Sequence, residues 1–276
     1  MKDSKVLTIQ DYSSFGQCSL SVALPIISAM GIETISLPIA LLSTHTSGFE
    51  GYTYIDLKDN VVPAVKHYKS LGLDFDFIYL GYLGSSATAK AVEEVCNLYP
   101  DAQLIVDPAM AENGSFYDGI TNDFVQSISD LCKKSYIALP NLSEACLLSG
   151  TEYAPIQTKE SILNICQKLV ETGIKRFVIT GIRTKTGMCL AYCDNNEIKF
   201  IDTQEVKGDF LGSGDVFAST LAGALANNID LPQSLDLAVK YTQKTVEVTS
   251  LDKAHWYGLK FEKTIPYLIE LLNTAK

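Results

Sequence analysis

The chain has 276 residues, 47% of them hydrophobic and 20% charged, with a formal net charge of -10. That apolar content is enough to bury one large α/β core, and the acidic balance argues against nucleic acid or an anionic membrane, both of which are gripped through clustered Lys and Arg. A nucleotide stays compatible, since backbone amides and a metal can hold its phosphates locally.

In chain order, the opening reads as a polar start followed by a strand, with no part of a secretion signal. Residues 12–32 carry no charge, but Ser13, Ser14, Gln17, Ser19, Ser21, Ser28 and Pro25, with a glycine-containing turn, disqualify them as a membrane span. Short apolar runs predict strands at 6–10, 34–39, 77–80, 104–106, 136–139 and 176–180. Between them, helical periodicity covers 19–30, 61–71, 87–99, 122–132, 144–148 and 159–172. Residues 188–193 and 198–201, joined by Asp194-Asn195-Asn196, predict an antiparallel hairpin, and helices follow at 216–226, 233–248 and 263–272.

This alternation is the pattern of a mostly parallel central sheet with helices on both faces, a three-layer sandwich. No repeat or linker argues for a cut, so 1–276 reads as a single domain. The seven cysteines, Cys18, Cys96, Cys132, Cys146, Cys166, Cys189 and Cys193, are scattered and odd in number. They read as buried free thiols of a reducing cytosol.

Sites in such sheets gather at the carboxyl ends of strands. There the chain places Asp11 and Ser13, then Tyr82, Asp107, Asn141 with Glu144, and Thr180-Gly181. The most informative stretch is Gly208-Asp209-Phe210-Leu211-Gly212-Ser213-Gly214-Asp215, running into an apolar small-residue helix. Glycines around a serine allow a tight turn whose N–H groups of Gly212, Ser213 and Gly214 cradle an anion at a helix N-terminus. Asp215 would repel that anion, so it makes sense as a base that takes the proton of a hydroxyl while the amides stabilise a moving phosphoryl group. The competing reading is a glycine-rich helix start with Asp215 as its N-terminal cap. Asp107 before Pro108 can equally close a strand, Glu144 can support a helix start at Asn141, and Tyr82 can be ordinary packing.

The segments Val6-Leu7-Thr8-Ile9-Gln10-Asp11, Phe15-Gly16, Leu42-Ser43-Thr44-His45-Thr46, Gly81-Tyr82, Asp107-Pro108-Ala109-Met110, Pro140-Asn141-Leu142-Ser143-Glu144-Ala145 and Gly212-Ser213-Gly214-Asp215 together resemble the pyridoxal kinase branch of the ribokinase-like superfamily. The resemblance spans essentially the whole chain. It implies ATP-dependent phosphorylation of the 5′-hydroxymethyl group of pyridoxal, pyridoxine or pyridoxamine in a cytoplasmic homodimer. Asp215 would be the base and Gly212, Ser213 and Gly214 the phosphate loop. The vitamer would meet Asp11, Ser13, Phe15, His45, Thr46 and Tyr82. ATP would meet Asp107, Asn141, Glu144, Thr180 and Gly181, with Asp107 and Glu144 acting on Mg²⁺ through water. His67 and His255 read as structural.

The chain departs from the family pattern at three places. Asp11 stands where many vitamin B6 kinases have Ser, a carboxylate suited to a protonated ring or an amine. Ser213 replaces a commoner threonine. Ala111-Glu112 replaces a glycine-acid pair, which bears on any monovalent-cation site. Two alternatives stay open. A hydroxymethylpyrimidine (phosphate) kinase shares the base and the anion loop, and a non-catalytic vitamer-binding protein would have no use for Asp215. The 47–59 stretch is too short for the lid sheet of sugar kinases, so no separate lid domain is expected.

Overall fold

The computed structural model describes residues 4–206 and 208–275. The elements, in order, are β1 (Lys5–Ser13), α1 (Leu20–Ala29), β2 (Glu33–Leu42), β3 (Tyr54–Asp56), α2 (Lys58–Ser70), β4 (Phe77–Leu80), α3 (Ser86–Leu98) and β5 (Gln103–Val106). Two-residue strands β6 (Ala111–Glu112) and β7 (Ser115–Phe116) precede α4 (Asn122–Lys134), β8 (Ile137–Ala138), α5 (Leu142–Ser149) and α6 (Lys159–Thr172). Then come β9 (Phe177–Thr184), β10 (Gly187–Asp194), β11 (Glu197–Thr203), α7 (Ser213–Ala226), α8 (Leu231–Ser250) and α9 (Ile265–Ala275).

The chain forms two compact units interleaved in sequence, one from Met1–Gly81, Val95–Ala102 and Val206–Lys276, the other from Tyr82–Glu94 and Gln103–Glu205. In the first, strands run in the order β4-β1-β2-β3, with β1 parallel to both neighbours and β3 antiparallel on the edge. Val6 through Gln10 are buried without alternation, as expected of a strand covered on both faces. At the carboxyl end of β1 the register with β2 shifts between Gln10↔Pro38 and Tyr12↔Leu41, so two residues of β2 stand opposite Asp11. Such a bulge re-aims side chains where a sheet ends.

The helical side of this unit is one apolar cluster. Val22, Ile26 and Met30 of α1 meet Val216 and Ala224 of α7, Leu237 and Tyr241 of α8, and Leu268 and Leu272 of α9. Burying α7 on all sides fixes where its N-terminus points, because Val216 through Ala226 are all inside.

In the second unit the order is β11-β10-β9-β8-β5, with β5, β8 and β9 parallel and β10 and β11 a hairpin. Asn195 and Asn196 both take positive φ (51° and 65°), the backbone of a two-residue hairpin turn. Thr158 and Gly173 close α6 at its two ends, one by a capping box and the other in the left-handed region.

The strand predicted to end at Thr180 continues to Thr184. Gly181 has φ +69° there, and pairing with β10 slips between Ile182↔Cys189 and Ile179↔Ala191. The glycine marks a bulge inside the strand, where it had been read as a stop.

Candidate active site

In the first unit, α7 begins at Ser213 with Gly212 as its N-cap, at φ 79° and ψ 3°. A side chain at Gly212 would be strained by that φ and would collide with the carbonyl oxygen of Gln17, so the turn requires glycine. The first closed helical bond is Val216 N–H to the Gly212 carbonyl, 3.0 Å. The N–H of Ser213 donates back to the Phe210 carbonyl at 3.3 Å, which closes the turn onto the helix start. Asp215 sits in the first turn, partly exposed, where the positive end of the helix favours a carboxylate.

Asp11 lies in the same unit and is only 6% exposed. The hydroxyl of Ser13 donates to its Oδ2 at 3.1 Å, and Ser19 supplies a second side-chain hydrogen bond. Burial raises the Asp11 pKa above the ordinary carboxylate range, partly offset by those hydroxyls and by its own backbone N–H. Ser19 is a non-glycine residue at φ 47° and ψ -129°, and it starts α1 without capping it through its side chain. Strained backbone of this kind is held by its surroundings and clusters at functional sites. Nothing in the sequence marked Ser19, because its role depends on φ and on a partner eight residues away.

Gly212 lies against the carbonyl of Gln17, which brings the start of α7 to the turn before Ser19. The Cys18 thiol in that turn is pushed far up, first by burial and then by the charges of Asp11 and of Asp215.

His45 is 6% exposed, with Nε2 3.0 Å from the Tyr257 carbonyl. A carbonyl can only accept, so Nε2 carries the proton and Nδ1 of the neutral ring is an acceptor. That Nδ1 is buried and has no partner. Phe49 packs on His45 at 4.9 Å and on Trp256 at 4.6 Å, and Phe15 packs on Tyr257 at 4.8 Å. Phe15 is itself 49% exposed, an aromatic face at the rim. Thr46, next to His45, is exposed. Trp256 and Tyr257 were missed in the sequence, where nothing links them to residues some 210 positions earlier.

The acidic pair lies in the second unit. Glu144 is 1% exposed and forms a capping box with Asn141: Asn141 N–H donates to Oε2 at 2.8 Å, and Glu144 N–H donates to Asn141 Oδ1 at 3.0 Å. Glu144 Oε1 also accepts from the Met110 and Ala111 amides, at 2.9 and 3.4 Å. The Asn141 amide donates to the Ala111 carbonyl at 2.7 Å. Both side chains are thus occupied in pinning the start of the β6–β7 hairpin, the structural role that stood beside the functional one. Burial drives the Glu144 pKa up to about 7 against three backbone donors. Asp107 is raised well above its usual range by burial and by Glu144. Thr180 bridges to Asn141, its N–H donating to the Pro140 carbonyl at 3.0 Å. Tyr82 is also in this unit, its ring against Gly84.

Residues 23–259 match the phosphomethylpyrimidine kinase family. The chain belongs to that family. A protein of Bacteroides thetaiotaomicron, provisionally named a phosphomethylpyrimidine kinase and crystallised with pyridoxal, is 28% identical with a TM-score of 0.90, covering 97% of this chain and 96% of its own. The pyridoxal kinase of Lactobacillus plantarum is also 28% identical, with a TM-score of 0.88 and 98% of each chain covered. A Caenorhabditis elegans protein provisionally named a pyridoxal kinase is 23% identical over 275 residues, spanning 90% of this chain and 83% of that one. The family fold, α/β with a large and mostly parallel sheet, is the one the strand and helix alternation predicts.

Proposed function

We propose that this protein is an ATP-dependent kinase of the vitamin B6 vitamers, one kinase domain that phosphorylates the 5′-hydroxymethyl group of pyridoxal, pyridoxine or pyridoxamine. The observation that carries the reading is Asp215 in the first turn of α7, directly after a Gly212 N-cap that only glycine can occupy. In the reaction Asp215 takes the hydroxyl proton, the 5′ oxygen bonds the γ-phosphorus, and the bond from that phosphorus to the β-γ bridging oxygen breaks to release ADP. The amides at the α7 N-terminus stabilise charge on the phosphoryl oxygens, and Asp11, Ser13, Phe15, His45 and Thr46, with Tyr82, bind the vitamer.

Asp107, Asn141, Glu144, Thr180 and Gly181 serve the nucleotide. The acidic pair fits Mg²⁺, because each carboxylate raises the charge cost of the other and a hydrated dication relieves it. Asp107 and Glu144 would hold the ion through water, and bound there it would neutralise phosphate charge. Ala111, whose N–H and carbonyl are both taken up by Glu144 and Asn141, bears on any monovalent-cation site beside it. A cytoplasmic homodimer completes the reading. All seven cysteines are free thiols, and among the described residues no helix is long and apolar enough to cross a membrane.

The test is ATP turnover with each vitamer, then the same assay on Asp215→Asn. Loss of a general base costs on the order of 10²–10⁴ in kcat, and a variant as fast as the parent would sink the mechanism. The family's own description supports a second reading, hydroxymethylpyrimidine (phosphate) kinase activity, and that alcohol belongs in the same panel.

A further inference from the structure

We propose that Asp11 and His45 form the seat for an ammonium group of the substrate, so that this protein prefers the amine-bearing vitamer, pyridoxamine; the inference rests on the vitamer-kinase reading above. Asp11 is a buried carboxylate whose hydrogen bonds come from the neutral hydroxyls of Ser13 and Ser19 and from its own backbone N–H. A carboxylate has about four lone-pair positions, so these three uncharged donors leave room for one more and leave the charge unpaired. The Nδ1 of His45 is a second buried acceptor without a partner, because Tyr257 fixes the proton on Nε2. The His45 backbone N–H donates to the Phe15 carbonyl at 3.3 Å, which holds the ring against the turn that follows Asp11.

Two acceptors from separate parts of the chain, β1 and the segment after β2, call for a group with several N–H donors and a positive charge. An alkylammonium has three donors and the charge. A protonated ring nitrogen offers a single in-plane N–H, and the hydroxyl of pyridoxine brings one donor and no charge. Position agrees with this choice. Gly212, which caps the helix of Asp215, lies against the Gln17 carbonyl in the turn that also carries Ser19, a donor to Asp11, and the aminomethyl group is ortho to the hydroxymethyl group that Asp215 would deprotonate, whereas the ring nitrogen is meta to it. A buried carboxylate is costly without a cation, and the ligand's ammonium supplies one.

The experiment measures kcat/KM for pyridoxamine and pyridoxine in the parent protein and in Asp11→Asn, with calorimetric binding of both compounds in the absence of ATP. The parent should favour pyridoxamine by at least about tenfold, and the variant should lower that ratio by about tenfold or more, one charge-assisted hydrogen bond's worth. His45→Phe should lower the same ratio, and Asp11→Ser replaces Asp11→Asn if the latter fails to fold. A ratio that stays within about threefold across these variants overturns the inference. If the parent phosphorylates no vitamer, the kinase reading fails on its own. The ammonium seat is then decided by calorimetry, where Asp11-dependent preference for pyridoxamine supports it and equal binding of the two compounds refutes it.

Discussion

Replacing Glu144 with alanine tests the claim that this carboxylate is first a clamp. The substitution strands three backbone donors, those of Asn141 at 2.8 Å, Met110 at 2.9 Å and Ala111 at 3.4 Å. A buried donor left without an acceptor costs about 1–3 kcal/mol, and the two short bonds carry most of that here. Loss of the capping box is part of the same quantity, and relief of repulsion with Asp107 offsets some of it. The net expectation is a destabilisation of about 3 kcal/mol at pH 6. Its pH dependence has a definite sign. Glu144 has its pKa raised from 4.5 to about 7 in the folded chain, so its contribution is fully present below 4.5 and is lost as pH rises through 7. Alanine has no such loss, and the gap between parent and variant therefore narrows from pH 5.5 to pH 8. Urea unfolding in chelator-containing buffer at both values measures it, and hydrogen exchange at Met110 and Ala111 reports the clamp directly. A penalty below about 1 kcal/mol, or one that grows with pH, refutes the reasoning.

Added millimolar Mg²⁺ should flatten the parent's stability loss between pH 5.5 and 8, since a cation at the acidic pair favours the ionised carboxylates that burial disfavours; identical curves with and without the ion exclude that placement. Gly212→Ala places a Cβ against the Gln17 carbonyl in a left-handed backbone. It should cost on the order of 1–3 kcal/mol in thermal unfolding and about a hundredfold in kcat. Alkylation of Cys18 by iodoacetamide at pH 8, followed residue by residue in a mass spectrometer, should be slow in the parent. It should quicken in Asp215→Asn, which removes one of the charges that hold the thiol protonated; an unchanged rate there separates the two residues. Tyr241→Phe deletes the buried hydroxyl bond to the Phe261 carbonyl, 3.1 Å, and should lower unfolding free energy by about 1 kcal/mol.

What was legible in the sequence was what periodicity and turn chemistry encode. The Asn195-Asn196 turn, the ends of α6 and the end of the small-residue helix α7 at Ala226 stand where pattern puts them, because each is decided within a few residues. β3 escaped because Tyr54, Ile55 and Asp56 are all exposed, so no alternation betrays the strand. β1 runs past the predicted end at Gln10 because Asp11 and Ser13 are polar yet buried, which the bulge in β2, each other's hydrogen bond and that of Ser19 make tolerable. The same logic separates the candidate site residues. Asp215 could be read from its neighbours, since an acid after a glycine turn at a helix start implies its own environment. The clamp that Asn141 and Glu144 form could not, because the Met110 and Ala111 amides that Glu144 holds lie 34 and 33 residues away along the chain. The tautomer of His45 is further out of reach, being set by a carbonyl 212 residues away. Residues that act through local geometry are thus readable in one dimension, whereas those whose chemistry is set by a distant partner need the fold, and the preference for an ammonium depends on residues of the second kind.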